Sequence, residues 1–594
     1  MRLNFGLLGL LVLGLAACKG DPEPLICADP ATTLMFPTPA WMRGERLDAP
    51  AGDKGVELLR SIYPAWVDSL ALVDGMAQRP TFVIALDGVA SAIDETRVSL
   101  YSALADGQPL TRRVDVRFHA RVDTRDHRSI IVQPINPLPL TFTEGVLVID
   151  ELAVTGANVL PACDGSQPDA AYATALAALP TEAHAVFALP FHTATDYRVL
   201  NDLWTRLSTT PVLTVMSAEA RTLASFGADA PSTEVSEALA PTAVSGVFSL
   251  PDYRDDGVIA RGADGGPVAV GTTEPAFVVA LPSTGAAPYP FILYQHGGGR
   301  SPTDIFLVAQ ELASQGFAFV AIDLPEHGHR APAAATGTDL DFIHFDDVMA
   351  TRSNFQQAVS DHMAVMSGLV AINAALQPIT GAEITLDPAR AFMMGMSIGA
   401  ISGSISFATI PTLRGGAFFV GAAGYPELVS TGLFAALASR IVSRPDPEDT
   451  VLLAIGETIL DAADPLAYAQ RAEDRSVRPR PMIFMQAVGD PLIPHAASDQ
   501  WARAFGAEVA LPRDHDVEAM LDVPLPAKEN FAWLPDWDHA TRVLVQCPMN
   551  EIEPSNRHSD LVRQGYAQEL VAHCFSTQLS TGDCEVIDTH FADH

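Results

Sequence analysis

Apolar residues fall into two regimes along the 594 residues of this chain. From about residue 80 they come in short strand-length runs. Thr81 to Leu86 is followed by the turn Asp87-Gly88, and Arg113 to Ala120, Ser129 to Gln133 and Gly145 to Leu152 come after it. Short strands bounded by Asp, Gly and Pro turns predict a β-sandwich. Beyond about residue 242 strand runs such as Ala276 to Leu281 and Phe291 to Gln295 alternate with helix-length segments at Thr303 to Gln315, Arg352 to Leu376 and Asp499 to Phe505. That alternation predicts a doubly wound α/β domain, with a largely parallel sheet covered on both faces. The alanine-rich stretch from Ala170 to Ser225 reads as a helical linker between the two halves. No repeat of fixed period is present.

The expected organisation is a leader over 1–17, a proline-rich tether over 18–40, a β-rich region with its linker over 41–225, and the α/β domain over 242–594. An extra helical stretch over about 424–478 carries Leu428, Leu433, Phe434, Leu437 and Ile441 at spacings of three and four, which puts them on one face. That face is either a cap over an active site or a plain buried helix.

Composition narrows the function. The chain is 48% apolar and 18% charged, as folded globular proteins are. With 36 basic against 71 acidic residues, its net charge of −35 would repel a phosphate backbone, so nucleic acid is not an expected partner. Met1-Arg2 and the apolar run to Ala17 form a signal-peptide core too short for a transmembrane helix. It ends Leu15-Ala16-Ala17-Cys18, which resembles the lipobox of bacterial lipoproteins. The resemblance implies export, a lipid on Cys18 and attachment to a membrane of the cell envelope. Lys19, where some inner-membrane lipoproteins carry aspartate, points to the outer membrane. Export allows disulfides among the remaining five cysteines: Cys574 with Cys584 could close a small loop and Cys27 with Cys163 could staple the N-terminal region, with the pairing left open by the sequence. No Cys-x-x-Cys or His-Glu-x-x-His pattern appears, so no metal is expected.

The chemistry centres on Ser397. Ala391-Phe392-Met393-Met394 leads into Gly395-Met396-Ser397-Ile398-Gly399, followed by small residues. A serine on a sharp strand-to-helix turn needs glycine on both sides, because side chains there would strike the neighbouring strand. Upstream, Phe291 to Gln295 ends in His296-Gly297-Gly298-Gly299, where bare backbone could aim N–H groups at a developing oxyanion. These two segments resemble the nucleophile turn and oxyanion loop of α/β-hydrolase esterases and lipases. The resemblance covers about 242–594 and implies oxyanion donors at Ile398 and at Gly298 or Gly297. Leu324 to His329 resembles the Asp-x-x-Gly-His-Gly segment of the same superfamily, with Glu326 in place of a glycine. His327 and His329 are expected to be structural.

A serine hydroxyl needs a histidine to take its proton, and the histidine needs a carboxylate. The family takes its acid from the loop after a late strand, here Pro481 to Ala487. That loop reads Val488-Gly489-Asp490-Pro491-Leu492-Ile493-Pro494, which implies Asp490 as the acid and leaves Asp464 a weaker candidate. The family's base follows the last strand, here Thr541 to Gln546, and precedes the last helix, here about Ser559 to Phe575. Among His539, His558, His573 and His590, that position falls to His558. The expected activity is hydrolysis of a small-molecule or lipid ester through Ser397, Asp490 and His558, with no cofactor. A peptidase or amidase on the same fold is one alternative, and a non-catalytic surface-binding lipoprotein is another. The N-terminal region resembles bacterial immunoglobulin-like domains, particularly at Ile135-Asn136-Pro137-Leu138-Pro139-Leu140, and carries no catalytic constellation of its own.

Overall fold

The computed structural model describes residues 27–589, apart from 30–32, 43–45, 48–51, 63, 103–111, 140–141, 165–166, 256–257, 333–340, 346, 430–446, 472–478 and 533–538. Cys18 and its leader, the greater part of the tether, and Leu433, Phe434, Leu437, Ile441 and His590 lie outside the described residues. Among those described, no single helix is long and apolar enough to cross a membrane.

Among the described residues, the N-terminal body holds two main antiparallel sheets and two short two-stranded ribbons. One pairs β1 (Phe82–Ala85), β5 (Ser129–Pro134) and β4 (Phe118–Val122) in the order β1-β5-β4, while β2 (Val98–Ser102), β3 (Arg112–Val114), β6 (Glu144–Asp150) and β7 (Ala185–His192) pair in the order β7-β6-β2-β3. Both send apolar side chains into one core, Ile84 and Ile130 from the first and Leu100, Leu147 and Leu189 from the second. The Cys27–Cys163 disulfide ties its edge.

Two stretches of the N-terminal half fold differently from the expectation. The run Arg113 to Ala120 is two strands, β3 and β4, divided between the sheets. The stretch Ala170 to Ser225 is not a helical linker. It contains the helices Ala170–Ala178 and Arg198–Thr209, but β7 completes the second N-terminal sheet and β8 (Thr214–Thr222) opens the large one. Alanine's high helix propensity hid these strands, and strand pairing overrode it.

The large sheet has twelve strands. After β8 come β9 (Leu239–Asp252), β10 (Gly271–Thr273), β11 (Ala276–Pro282), β12 (Tyr289–Gln295), β13 (Ala318–Ile322), β14 (Leu386–Met396), β15 (Gly416–Phe419), β16 (Met482–Ala487), β17 (Glu508–Ala510), β18 (Asp522–Val523) and β19 (Arg542–Cys547). Their spatial order is β8-β9-β11-β13-β12-β14-β15-β16-β19-β17-β18, with β10 against β9. The pairs from β8 to β13 are antiparallel and the pairs from β13 through β12 to β18 are parallel. Parallel strands covered on both faces are mostly apolar, and β13, β16 and β19 are buried throughout, with Gln486, Arg542 and Gln546 hydrogen-bonded where they break the run. Side chains alternate between two cores, Phe291, Leu293 and Met393 in one and Ile292, Tyr294, Phe392 and Met394 in the other. Helix α1 (Val348–Ser367) covers the first face and helix α2 (Gly565–Ser580) the second.

The expected helix from Arg352 to Leu376 breaks at Gly368, where it bends by 62° into Leu369–Thr380. The last helix starts at Gly565 rather than Ser559, after an extended Gln564. Helix Pro447–Leu460 sends Val451, Ile455 and Ile459 into the N-terminal core. The two halves therefore share packing instead of being joined only by a tether.

Candidate active site

β14 delivers Ser397 to the start of the helix Ile398–Thr409 in a backbone conformation few side chains adopt, with φ 54° and ψ −124°. Such a residue is strained by about 1–3 kcal/mol and must be held by its surroundings. Its N–H donates to the Phe419 carbonyl at 2.9 Å, and its own carbonyl accepts from the N–H groups of Ala400 and Ile401 at 2.8 and 3.0 Å. The flanking glycines are sterically required. A Cβ on Gly395 would lie 2.2 Å from the Gly399 carbonyl oxygen, and one on Gly399 would lie 2.2 Å from that of Gln295.

His558 occupies a single helical turn, Arg557–Asp560, between β19 and α2, and Asp490 lies in the loop after β16. The imidazole Nε2 is 2.9 Å from Ser397 Oγ, and Nδ1 is 2.8 Å from Asp490 Oδ2. A carboxylate only accepts, so Nδ1 carries the proton and Nε2 accepts from the serine hydroxyl. The other oxygen, Oδ1, accepts the N–H groups of Leu492 and Ile493 at 2.8 and 3.0 Å. Both partners of the serine are buried. Gly489, at φ +73°, gives the loop its turn, and Arg557 donates across to the Val488 carbonyl at 3.3 Å, tying the acid loop to the histidine turn.

The other candidates lie elsewhere. His539 contacts the Glu529 carbonyl at 3.1 Å, and His573 pairs with Glu585 at 3.1 Å from within α2. Asp464 accepts from the N–H groups of Gly424 and Leu466, and burial pushes its carboxyl up to about 7.

The glycine loop after β12 is anchored by two histidines. His296 is fully buried; its Nδ1–H donates to the Gly297 carbonyl at 2.7 Å and its Nε2 accepts from Leu324 N–H at 3.1 Å. Burial and the neighbouring His327 hold its pKa down at about 3, so it stays neutral. In a trans peptide the C=O and the following N–H point in opposite directions, so fixing the Gly297 carbonyl also fixes the direction of Gly298 N–H. His327 accepts from Gly299 N–H at 3.0 Å, which commits that donor. Among the described residues, the N–H groups of Gly298 and Ile398 have no backbone acceptor. Gly297 abuts Ser397, since a Cβ there would lie 3.2 Å from Ser397 Cβ. Glu326 adopts φ 60°, a conformation its usual glycine would hold freely, and its carboxylate is held by His344 at 2.7 Å. His329 is exposed.

A cavity of about 130 Å³ with almost entirely apolar walls opens at Ser397. Its walls include Phe355, Ile401 and Ile493 from the large domain, Leu452 and Leu460 from Pro447–Leu460, and Trp66 from the N-terminal helix Pro64–Leu70. Of the apolar face expected over 424–478, Leu428 is described and lines this cavity. Trp66 escaped sequence reasoning, because nothing in its local pattern ties it to a site more than three hundred residues away.

No family model matches the chain, and no curated protein does. Solved structures do match. An acetyl xylan esterase from Paenibacillus sp. R4 is 15% identical, with 56% of this chain and 87% of that one covered and a TM-score of 0.33. Acetyl xylan esterase 1 from Thermoanaerobacterium sp. JW/SL YS485 is 14% identical, with 64% and 94% covered and a TM-score of 0.35. An esterase from Pyrobaculum calidifontis is 12% identical, with 65% and 94% covered and a TM-score of 0.28. All three are esterases by name.

Proposed function

We propose that this chain is a serine hydrolase of the α/β-hydrolase type that cleaves carboxylic esters through an acyl-enzyme. The carrying observation is the line of hydrogen bonds from Ser397 Oγ through His558 to Asp490 at the mouth of an apolar cavity. In the proposed reaction His558 Nε2 takes the hydroxyl proton as Ser397 Oγ bonds to the ester carbonyl carbon. The oxyanion is received by Ile398 N–H and Gly298 N–H, the latter aimed by His296. The tetrahedral adduct collapses, His558 returns the proton to the leaving alkoxide, and the alcohol departs. Water then repeats the sequence on the acyl-enzyme, releasing the acid and restoring Ser397. Asp490 holds the tautomer and stabilises the imidazolium.

The cavity supports an apolar acyl group as the part of the substrate beside the nucleophile. The two N-terminal sheets with their common core support an immunoglobulin-like sandwich, and the helix Pro64–Leu70 of the same half contributes Trp66 to the wall of the pocket. Lipidation at Cys18, with the body held at the outer membrane, completes the proposal; two disulfides, Cys27–Cys163 and Cys574–Cys584, accord with an exported protein.

The test is labelling with a fluorophosphonate, followed by turnover of p-nitrophenyl esters of rising chain length. Wild type should label and turn over, and folded Ser397→Ala should do neither. No labelling of folded wild type would remove the enzyme reading. Turnover of p-nitroanilides without esters would move it to a peptidase.

A further inference from the structure

A second cluster of ligating side chains lies behind the acid loop. The helix His495–Ala504 leaves that loop, and the segment after β17 brings Asp514 and His515 against its first turn. The rings of His495 and His515 stack with centroids 4.6 Å apart and planes 20° apart. Each of His495, Asp514 and His515 offers a ligand atom within 4.8 Å of the other two.

His515 is oriented from outside the cluster. Its Nε2 lies 2.9 Å from Asp499 Oδ2, so Nε2 carries a hydrogen and Nδ1 is the nitrogen turned to Asp514. Nδ1 lies 3.4 Å from Asp514 Oδ2, a pair that is joined by a cation between them, whether a proton or a metal ion. A proton on Nδ1 would satisfy two groups, and a metal ion would satisfy three. The backbone beneath is fixed, since Gln546 Oε1 accepts the N–H groups of both Asp514 and His515 at 2.8 and 3.0 Å.

We propose that His495, Asp514 and His515 form a site for a divalent transition-metal ion of the zinc class, with solvent in the fourth position and Asp499 as the outer carboxylate that orients His515. Two imidazoles and a carboxylate are the donors zinc prefers, at about 2.0–2.2 Å. Tetrahedral bonds of that length put ligand atoms about 3.4 Å apart, so atoms that lie within 4.8 Å of one another draw together by up to about 1.4 Å on binding, through the exposed Asp514 and the ring of His495. His495 Nε2 accepts from Gly489 N–H at 3.3 Å, so the same ring that would hold the ion is joined to the acid loop.

The experiment uses the full chain without a polyhistidine tag, stripped with chelator and titrated with ZnCl2 by calorimetry and with CoCl2 by visible absorption. Wild type should bind one ion per chain, show the strong visible bands of low-coordinate cobalt, and gain thermal stability as metal is added. Asp499→Asn should weaken Kd by about 10–100-fold. The double variant Asp514→Ala, His515→Ala should keep its fold by circular dichroism and lose stoichiometric binding. Absence of stoichiometric binding in wild type, or equal binding by the double variant, would overturn the proposal. None of these variants touches Ser397, His558 or Asp490, so the outcome is independent of the hydrolase reading.

Discussion

Asp490→Asn changes one atom and tests the proton arrangement of the site. Oδ1 accepts two backbone N–H groups, from Leu492 and Ile493, so the asparagine must keep its carbonyl oxygen there. Turning the amide over would leave two backbone donors facing an NH2 group, at about 1–3 kcal/mol each. The NH2 group therefore replaces Oδ2, 2.8 Å from His558 Nδ1. That nitrogen must now accept, which moves the ring proton to Nε2 and points it at Ser397 Oγ. The base can no longer take the hydroxyl proton. In a Ser-His-Asp enzyme of another fold the equivalent change lowers kcat about 10⁴-fold, which is about 5.5 kcal/mol of transition-state stabilisation. We expect a loss of that size in kcat for p-nitrophenyl butyrate, with KM and melting temperature little changed. The assay is initial-rate kinetics beside circular dichroism. A loss of less than tenfold in folded protein would refute the tautomer argument.

Three further outcomes follow from the packing and charges. Trp66→Ala should lower kcat/KM on octanoate esters by about tenfold while leaving acetate within about twofold, since truncation removes on the order of 1–3 kcal/mol of apolar contact; equal losses on both would mean that the tryptophan only supports the fold. Gly399→Ala forces a Cβ to within 2.2 Å of the Gln295 carbonyl oxygen and should cost about 3 kcal/mol in denaturant titration along with the activity, whereas a neutral result would contradict the close approach. Asp461 is fully buried, and burial pushes its carboxyl from 3.8 up to about 8; the native state holds that proton from pH 4 to 8 while the unfolded chain releases it, so stability falls as pH rises through this window. Asp461→Asn keeps an acceptor for Gln78 N–H and should flatten the fall, by an amount on the order of 5 kcal/mol; an unchanged pH profile would sink the assignment.

The parts of this protein that are legible in the sequence are those whose physics is local. Gly395-Met396-Ser397-Ile398-Gly399 announces a turn because the steric demand for glycine falls within five residues. Parallel strands such as Phe291 to Gln295 announce themselves because burial on both faces demands unbroken apolar runs. The place of His558 is legible through the resemblance, which expects a histidine after the last strand and before the last helix, although the helix start itself moved six residues to Gly565. Tertiary structure decided the rest, because those features join residues that no local pattern connects. The strands β7 and β8 depend on partners in two different sheets, and alanine's helical preference concealed them. The aim of Gly298 N–H depends on two buried histidines clamping a loop. Trp66 reaches the cavity because helix Pro447–Leu460 inserts its apolar side into the N-terminal core. His495, Asp514 and His515 have no metal-binding spacing in sequence, and only the return of the chain after β17 stacks their donors together.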